Sequence, residues 1–186
     1  MLKKIYFILP FLLTAFLVNS QVVINEYSAS NFDSHLDNYG EYEDWVELYN
    51  TTNSDIDLNG WSLTDKPANL TKWSFTGSFI ISANSVAIVY CSGRDELVGG
   101  VAHTNFKITQ TKVGEVFVLS DASGNIIDSA RAIPAQKSHS RGRDVNGGSS
   151  WSVFTAATPN TSNTGAMLEY APVSYTHLTL PTILRV

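Results

Sequence analysis

The chain has little of what usually staples a small domain or equips an enzyme. Cys91 is its single cysteine, so no disulfide can form within the chain. The fold must therefore rest on apolar burial, with Cys91 itself expected as a buried thiol at the end of the apolar run Val86 to Tyr90. No Lys or Arg occurs between Ile5 and Asp65, a stretch that holds ten carboxylates: Glu26, Asp33, Asp37, Glu41, Glu43, Asp44, Glu47, Asp55, Asp57 and Asp65. Over Gln21 to Pro172 nine cations stand against seventeen carboxylates, a balance of −8. That sign suits phosphate-backbone binding poorly, and nucleic acid is not the expected partner; Arg131, Lys137, Arg141 and Arg143 are its one local basic patch. His35, His103 and His139 show no zinc-type spacing, and no Gly-x-Ser-x-Gly elbow, Gly-x-Gly-x-x-Gly or P-loop is present. These absences leave an enzyme reading without a motif.

The one long apolar run is at the start. Lys3 and Lys4 precede Ile5 to Val18, and Val18-Asn19-Ser20 offers small residues for a peptidase. This is the pattern of a secretory signal peptide over 1–20, and the run is too short for a span of about 20 residues. The mature chain is then expected to begin at Gln21, to be secreted or held at the cell surface, and to lack a transmembrane segment. At the other end, VSYTHLTLPTILRV from Val173 has no turn logic linking it to what precedes and is similar to a translated vector or adaptor tail. The expected organisation is a domain over 21–165, the start of a linker or truncated next domain over 166–172, and a non-native tail over 173–186.

What is there is strand pattern. Seven short runs, Gln21–Tyr27, Trp45–Tyr49, Gly60–Leu63, Lys72–Phe75, Val86–Tyr90, Glu115–Leu119 and Asn125–Ala130, are rich in β-branched and aromatic residues, with Asn, Asp, Ser and Gly between them. Ser120 to Gly124 reads as a hairpin connection with Gly124 free to take positive φ. No window carries capped helical spacing, so the fold class is all-β, a sandwich or barrel. From Arg141 to Gly165 the chain turns Gly/Ser/Asn/Thr-rich like a tail, but Trp151 is costly to leave in water and is expected to dock on the sandwich and cover an edge.

The order of motifs carries a resemblance. Val22 to Glu26, Asp44 to Asn50, and Leu58-Asn59-Gly60-Trp61-Ser62-Leu63-Thr64-Asp65 resemble the first three strands of the lamin-tail domain family. Trp73-Ser74-Phe75, Ile80-Ile81, His103 to Ile108 and Val116 to Ile127 follow in the family's order, and Ser140-Arg141-Gly142-Arg143, Trp151 and Thr158-Pro159-Asn160 resemble its closing segment. Asn160 stands where the family often has glycine. The resemblance covers about Gln21 to Gly165 and implies an immunoglobulin-like two-sheet β-sandwich that binds or positions a partner without catalysis. Asn38 to Trp45, Ser92 to Asp95 and His139 to Arg143 are also similar to the lamin-tail module that opens secreted bacterial proteins with a CotH-type kinase-like domain, which implies that this chain is the front of a longer exported protein. The catalytic part of such a protein would lie elsewhere.

Three constellations are candidates for function. Asp33, Asp37, Asn38, Glu41 and Asp44, with Glu43 among them, are oxygen-rich as Ca²⁺ requires; their spacing does not fit an EF-hand loop, and a solvated acidic loop pairing with Arg141 and Arg143 is the preferred alternative. No other cofactor is expected. Glu26 and Glu47 lie in strands among large apolar residues and are expected to accept backbone N–H bonds or to pair with an arginine, since a buried charge must be satisfied. Tyr39 and Tyr42 sit in a polar loop and are the aromatics expected to be exposed. With Arg141 and Arg143 they form the expected binding surface, for an extracellular or cell-envelope protein or, in the alternative of a carbohydrate-binding module, a polysaccharide.

Overall fold

The computed structural model describes residues 20–109, 114–164 and 167–168. Apart from Ser20, the expected signal peptide lies outside the described residues, as do the 173–186 tail and all of 166–172 except Met167 and Leu168.

The fold is all-β. In chain order the strands are β1 (Val22–Ser28), β2 (Trp45–Asn50), β3 (Ile56–Asp57), β4 (Ser62–Thr64), β5 (Trp73–Ser74), β6 (Ile80–Ile81), β7 (Val86–Tyr90), β8 (Glu96–Val98), β9 (Val101–His103), β10 (Val116–Ser120), β11 (Ile126–Arg131), β12 (Ser140–Arg143), β13 (Trp151–Phe154) and β14 (Met167–Leu168). The larger sheet runs β14-β13-β12-β1-β2-β7-β9-β8, the smaller β11-β10-β4-β5, and β3 pairs with β6. All pairings are antiparallel except β7 with β9. This is an immunoglobulin-like sandwich.

Between the sheets Val22, Ile24, Tyr27, Val46, Leu48, Leu63, Val89, Phe117 and Leu119 form one buried cluster, with Cys91 inside it. Burial pushes the Cys91 thiol well above its ordinary range, as befits a residue that only packs. Tyr27 and Phe117 meet edge to face with centroids 5.1 Å apart. The Tyr27 hydroxyl donates to the Arg131 carbonyl at 2.9 Å and accepts the Ile133 N–H at 3.0 Å, so one phenol ties the end of β11 to β1.

All seven runs read from the sequence are strands, displaced by no more than a residue or two. The hairpin at 120–124 is present, with Gly124 at φ 83° and the Asp121 carboxylate accepting the Ser123 and Asn125 N–H groups. The segment from Arg141 onward is more than a tail. It supplies β12 and β13, which extend the larger sheet from β1. Trp151 packs its partly buried ring against the core, 6.0 Å from Tyr27.

Replacing Tyr27 with Phe leaves the Ile133 N–H and the Arg131 carbonyl without their partner. A loss of about 1–3 kcal/mol is expected in urea denaturation, with an unchanged slope against denaturant concentration.

Candidate functional site

Two surfaces of the larger sheet carry the polar chemistry, and both lie on its outer face. The first begins with an irregularity in β1. Ile24 pairs with Leu48, yet Glu26 pairs with Glu47, so Asn25 is one residue too many on its strand. Such a β-bulge breaks the two-residue alternation. It lets both Ile24 and Tyr27 face the core, and it turns Glu26 away from the core to lie opposite Glu47. Without it, strict alternation would send the Glu26 carboxylate inward beside Ile24.

Both glutamates are fully buried, because the chain after β13 folds back over them. Glu26 accepts the Thr158 N–H at 2.9 Å and the Thr158 hydroxyl at 2.6 Å. Glu47 accepts the Asn160 N–H at 2.8 Å and an Asn25 amide N–H at 2.9 Å. Asn163, also fully buried, donates to the Arg143 carbonyl at 2.7 Å and accepts from Asn25 at 3.2 Å. Asn160 adopts φ 59°, a left-handed conformation that glycine and asparagine tolerate best. Among the described residues no cation pairs with either glutamate. Burial first, and then the neighbouring Glu26, push the Glu47 carboxyl up to about 8, against the opposing pull of its Asn25 and Asn160 hydrogen bonds. These two carboxyls accept backbone N–H bonds, one of the two roles anticipated for them, and are closed off from any substrate.

Arg143 corrects the expected binding surface. Its Nε donates to the Ile24 carbonyl at 2.8 Å, Nη1 to the Gly148 carbonyl, and Nη2 to Asp128 Oδ2 at 2.8 Å. Asp128 Oδ2 also accepts the Ile24 N–H at 2.8 Å. Its side chain is 11% exposed and lies against the Trp151 ring, so this arginine clamps the bulge between the sheets and contributes neither to a ligand surface nor to a basic patch. Arg141, on the same strand, pairs with Tyr27 and Val153 in register and does not join Tyr39 and Tyr42. Neither arginine neutralises the acidic loop: its ion pairs are Glu41 with Arg94 and Glu43 with Lys107.

The second surface is the connection between β1 and β2. Asn31 is its internal staple: the side chain donates to the His35 and Glu43 carbonyls and accepts the Ser34 and His35 N–H groups, while its own N–H goes to Asp44. Asp37 Oδ1 accepts the Tyr39 and Glu41 N–H groups, both at 2.8 Å. The loop is fastened to the sheet by a chain of rings. His35 stacks on Tyr90, Tyr90 on His103, and His103 meets the edge of Tyr39, whose face carries the Arg94 guanidinium. His103 Nε2–H donates to Asn38 Oδ1 at 2.7 Å, leaving Nδ1 to accept the Ser92 hydroxyl at 2.9 Å. Burial holds both imidazoles below their ordinary value, in spite of Asp37 nearby.

The five residues read as calcium ligands do not converge. Asp33 is exposed, Asp37 and Asp44 turn inward to cap backbone N–H groups, Asn38 is bound to His103, and Glu41 to Arg94. Among the described residues no group of three or more His, Cys, Asp or Glu side chains is placed to hold a metal ion. Side-chain type alone could not reveal this, since carboxylates that cap turns and carboxylates that bind cations share one composition. Tyr39 and Tyr42 are 52% and 47% exposed, and Phe32 and Leu36, which the sequence reading passed over, join them. Their spacing within one loop was the available signal.

The Glu47 carboxyl, raised from an ordinary 4.5 to about 8, favours the folded state fully below the ordinary value and loses that contribution as pH rises through about 8. Asp44, raised by burial to about 6, follows the same sign but completes its loss lower. Between about pH 6.5 and pH 9 the fall in folding stability is therefore expected to belong mainly to Glu47 and to amount to about 2 kcal/mol. Glu47→Gln should flatten the profile in that window, and an unaltered slope in urea titrations would remove the proton from this residue. Gly142→Ala tests the closeness of the same packing. Its Cβ would lie 2.9 Å from Asn163 Nδ2, 3.0 Å from Glu26 Cγ and 3.1 Å from the Phe154 ring, all buried neighbours. A loss of about 1–3 kcal/mol is expected.

Comparison with known families places this architecture. The Lamin Tail Domain family matches residues 18–133, which take in β1 to β11 and the loop from Ala29 to Asp44. No curated protein matches the chain. The sandwich and the family match over more than half of the sequence agree, and the chain belongs to the lamin tail domain family.

Proposed function

We propose that this lamin tail domain is a non-catalytic recognition module of an exported protein, and that it docks an extracellular or cell-envelope protein on the β1–β2 connection. The observation that carries the reading is the display of Phe32, Leu36, Tyr39 and Tyr42, each about half exposed, on a loop that is otherwise closed by hydrogen bonds and ion pairs. Large apolar groups on a preorganised loop favour binding, because little side-chain freedom remains to be lost. The pattern of Lys3, Lys4 and the apolar run after them supports export, and the likeness to modules that open CotH-type kinase-like proteins supports a role in positioning a further domain.

The competing carbohydrate reading needs an open aromatic face. Tyr39 has one face under Arg94, its edge on His103 and its hydroxyl donated to Glu96 at 2.7 Å, an arrangement that fits a protein contact better than a sugar platform. The test is co-sedimentation with the cell envelope of the producing organism, run beside insoluble polysaccharides. The Tyr39→Ala, Tyr42→Ala double variant is expected to bind envelope about tenfold or more weakly while its unfolding midpoint stays close to the parent's. Undiminished binding would overturn the assignment of this loop, and retention on protein-free polysaccharide would move the reading to carbohydrate.

A further inference from the structure

The cations of this acidic domain are unevenly used. Lys72, Arg94, Lys107 and Arg143 each pair with a carboxylate. Among the described residues Lys66, Arg131, Lys137 and Arg141 pair with none, in a chain where seventeen carboxylates stand against nine cations over 21–172. Three of these four fall between Ser129 and Arg143, a stretch without an Asp or Glu. The fold draws the three to one edge of the sandwich. Arg141 stands opposite Tyr27 in register, and the Tyr27 hydroxyl is held by the Arg131 carbonyl and the Ile133 N–H. Burial raises that phenol above its ordinary value, while the Ile133 N–H and the nearby Arg141 charge pull the other way. Lys137 lies over the Phe32 ring at 4.1 Å, and Ser138 donates its N–H to the Ser30 carbonyl and accepts the Phe32 N–H. Arg131 and Lys137 are exposed and Arg141 is half-buried. Like charges gathered without counter-charges repel one another, and an incoming anion relieves that repulsion.

We propose that this edge is a second contact for the partner protein, receiving a short acidic segment whose carboxylates meet Arg131, Lys137 and Arg141. The proposal deepens the recognition reading above and rests on it, because Lys137 and Phe32 join the edge to the β1–β2 connection. Charge complementarity selects an anion, and two of the three cations are arginines, whose planar fork suits a carboxylate. The surroundings select a short protein segment over an extended polyanion. The adjoining loop holds five carboxylates, Asp33, Asp37, Glu41, Glu43 and Asp44, against the two cations Arg94 and Lys107 that pair with it. A nucleic-acid strand or an anionic lipid surface carries its charge over a wider area and would press phosphates against that loop. A peptide can set a few carboxylates on the cations and turn away.

The test is a titration of the ¹⁵N-labelled protein at low salt with two blocked pentapeptides, Glu-Glu-Leu-Glu-Glu and Gln-Gln-Leu-Gln-Gln. The Glu peptide is expected to shift the amides of Arg131 and of Lys137 to Arg141 and to bind about tenfold more tightly than the Gln peptide. That advantage should shrink several-fold at roughly 0.5 M salt. The Arg131→Gln, Lys137→Gln double variant, changed only at exposed side chains, should lose about the same tenfold with its unfolding midpoint close to the parent's. Lys66→Gln removes the one unpaired cation among the described residues that lies elsewhere, and should lose nothing. Equal affinity for the two peptides, or an equal loss in Lys66→Gln, would overturn the proposal. So would a thymidine oligonucleotide of matched charge, or phosphatidylglycerol vesicles, binding the same residues as tightly as the Glu peptide. Envelope co-sedimentation separates the edge from the loop. The double cation variant should weaken envelope binding several-fold, whereas the Tyr39→Ala, Tyr42→Ala variant should keep its preference for the Glu peptide. Undiminished envelope binding by the cation variant counts against the edge alone, and undiminished envelope binding by the tyrosine variant counts against the loop alone.

Discussion

The structure turns on one inserted residue in its first strand. Asn25 shifts the phase of β1, and the placing of Glu26 opposite Glu47 on the outer face of the larger sheet follows from that shift. Before the bulge Val22 and Ile24 point into the core, and after it Tyr27 does so again, three residues later instead of two or four. The residue released from the core by the change of phase is Glu26. A carboxylate left among Ile24, Leu48 and Phe117 would have no donor and no water, a situation that costs several kcal/mol. Turned outward, it finds Thr158. The backbone disturbance of the bulge is itself repaired, since the Ile24 N–H goes to Asp128 and the Ile24 carbonyl to Arg143, and these two side chains pair with each other. A local irregularity thus becomes the point where both sheets are joined.

The consequence is a sheet buried on both faces along its central strands. β1 is buried at all seven positions, and in β2 only Tyr49 is partly exposed. Inward packing is ordinary apolar contact, but the outward cover over Glu26 and Glu47 is polar, and each of their four carboxyl oxygens meets a donor. The segment after β13 carries few apolar residues and is held by the Glu26 and Glu47 carboxyls, which accept the Thr158 and Asn160 N–H groups, and by Asn163, which donates to the Arg143 carbonyl. A carboxyl facing another carboxyl in this setting keeps its proton more readily than one in water, so the closure is sensitive to alkali. Stability and specificity are here in tension, as they are in buried polar networks generally.

Much of the fold was legible in the sequence because most strands obey the period of two and are bounded by turn residues. The seven runs, the hairpin at Gly124, the buried Cys91 and the docking of Trp151 all follow from local pattern and the cost of exposing apolar surface. What was not legible has a common cause. β12 reads Ser-Arg-Gly-Arg and has no β-forming residue, so only its partners β1 and β13 make it a strand. β8 and β9, three residues each, are too short to show a period. The role of Arg143 depends on Asp128 and Ile24, distant in sequence, and that of the acidic loop on which way each oxygen points. Pairing across long separations and side-chain direction are products of the tertiary fold, and composition is silent on both.

The two halves of the outer face differ in a way that bears on function. Over β1 and β2 the cover is complete and every glutamate oxygen has a donor. Over β7 and the start of β9 the cover stops at Leu36, and one oxygen of Asp37 is left without a donor. If the outer face served stability alone, the cheaper solution would be an apolar cap continuing from Trp45, Ile88 and Tyr90, which already pack together there. Instead the chain holds a loop of half-exposed aromatics at the border of the uncovered area, tied down by its own hydrogen bonds and ion pairs. A surface that forgoes burial while keeping its geometry is organised for contact with another molecule. On that argument the closed half of the sheet is the foundation, and the open half, from Phe32 to Tyr42, is the surface on which the proposed recognition role rests.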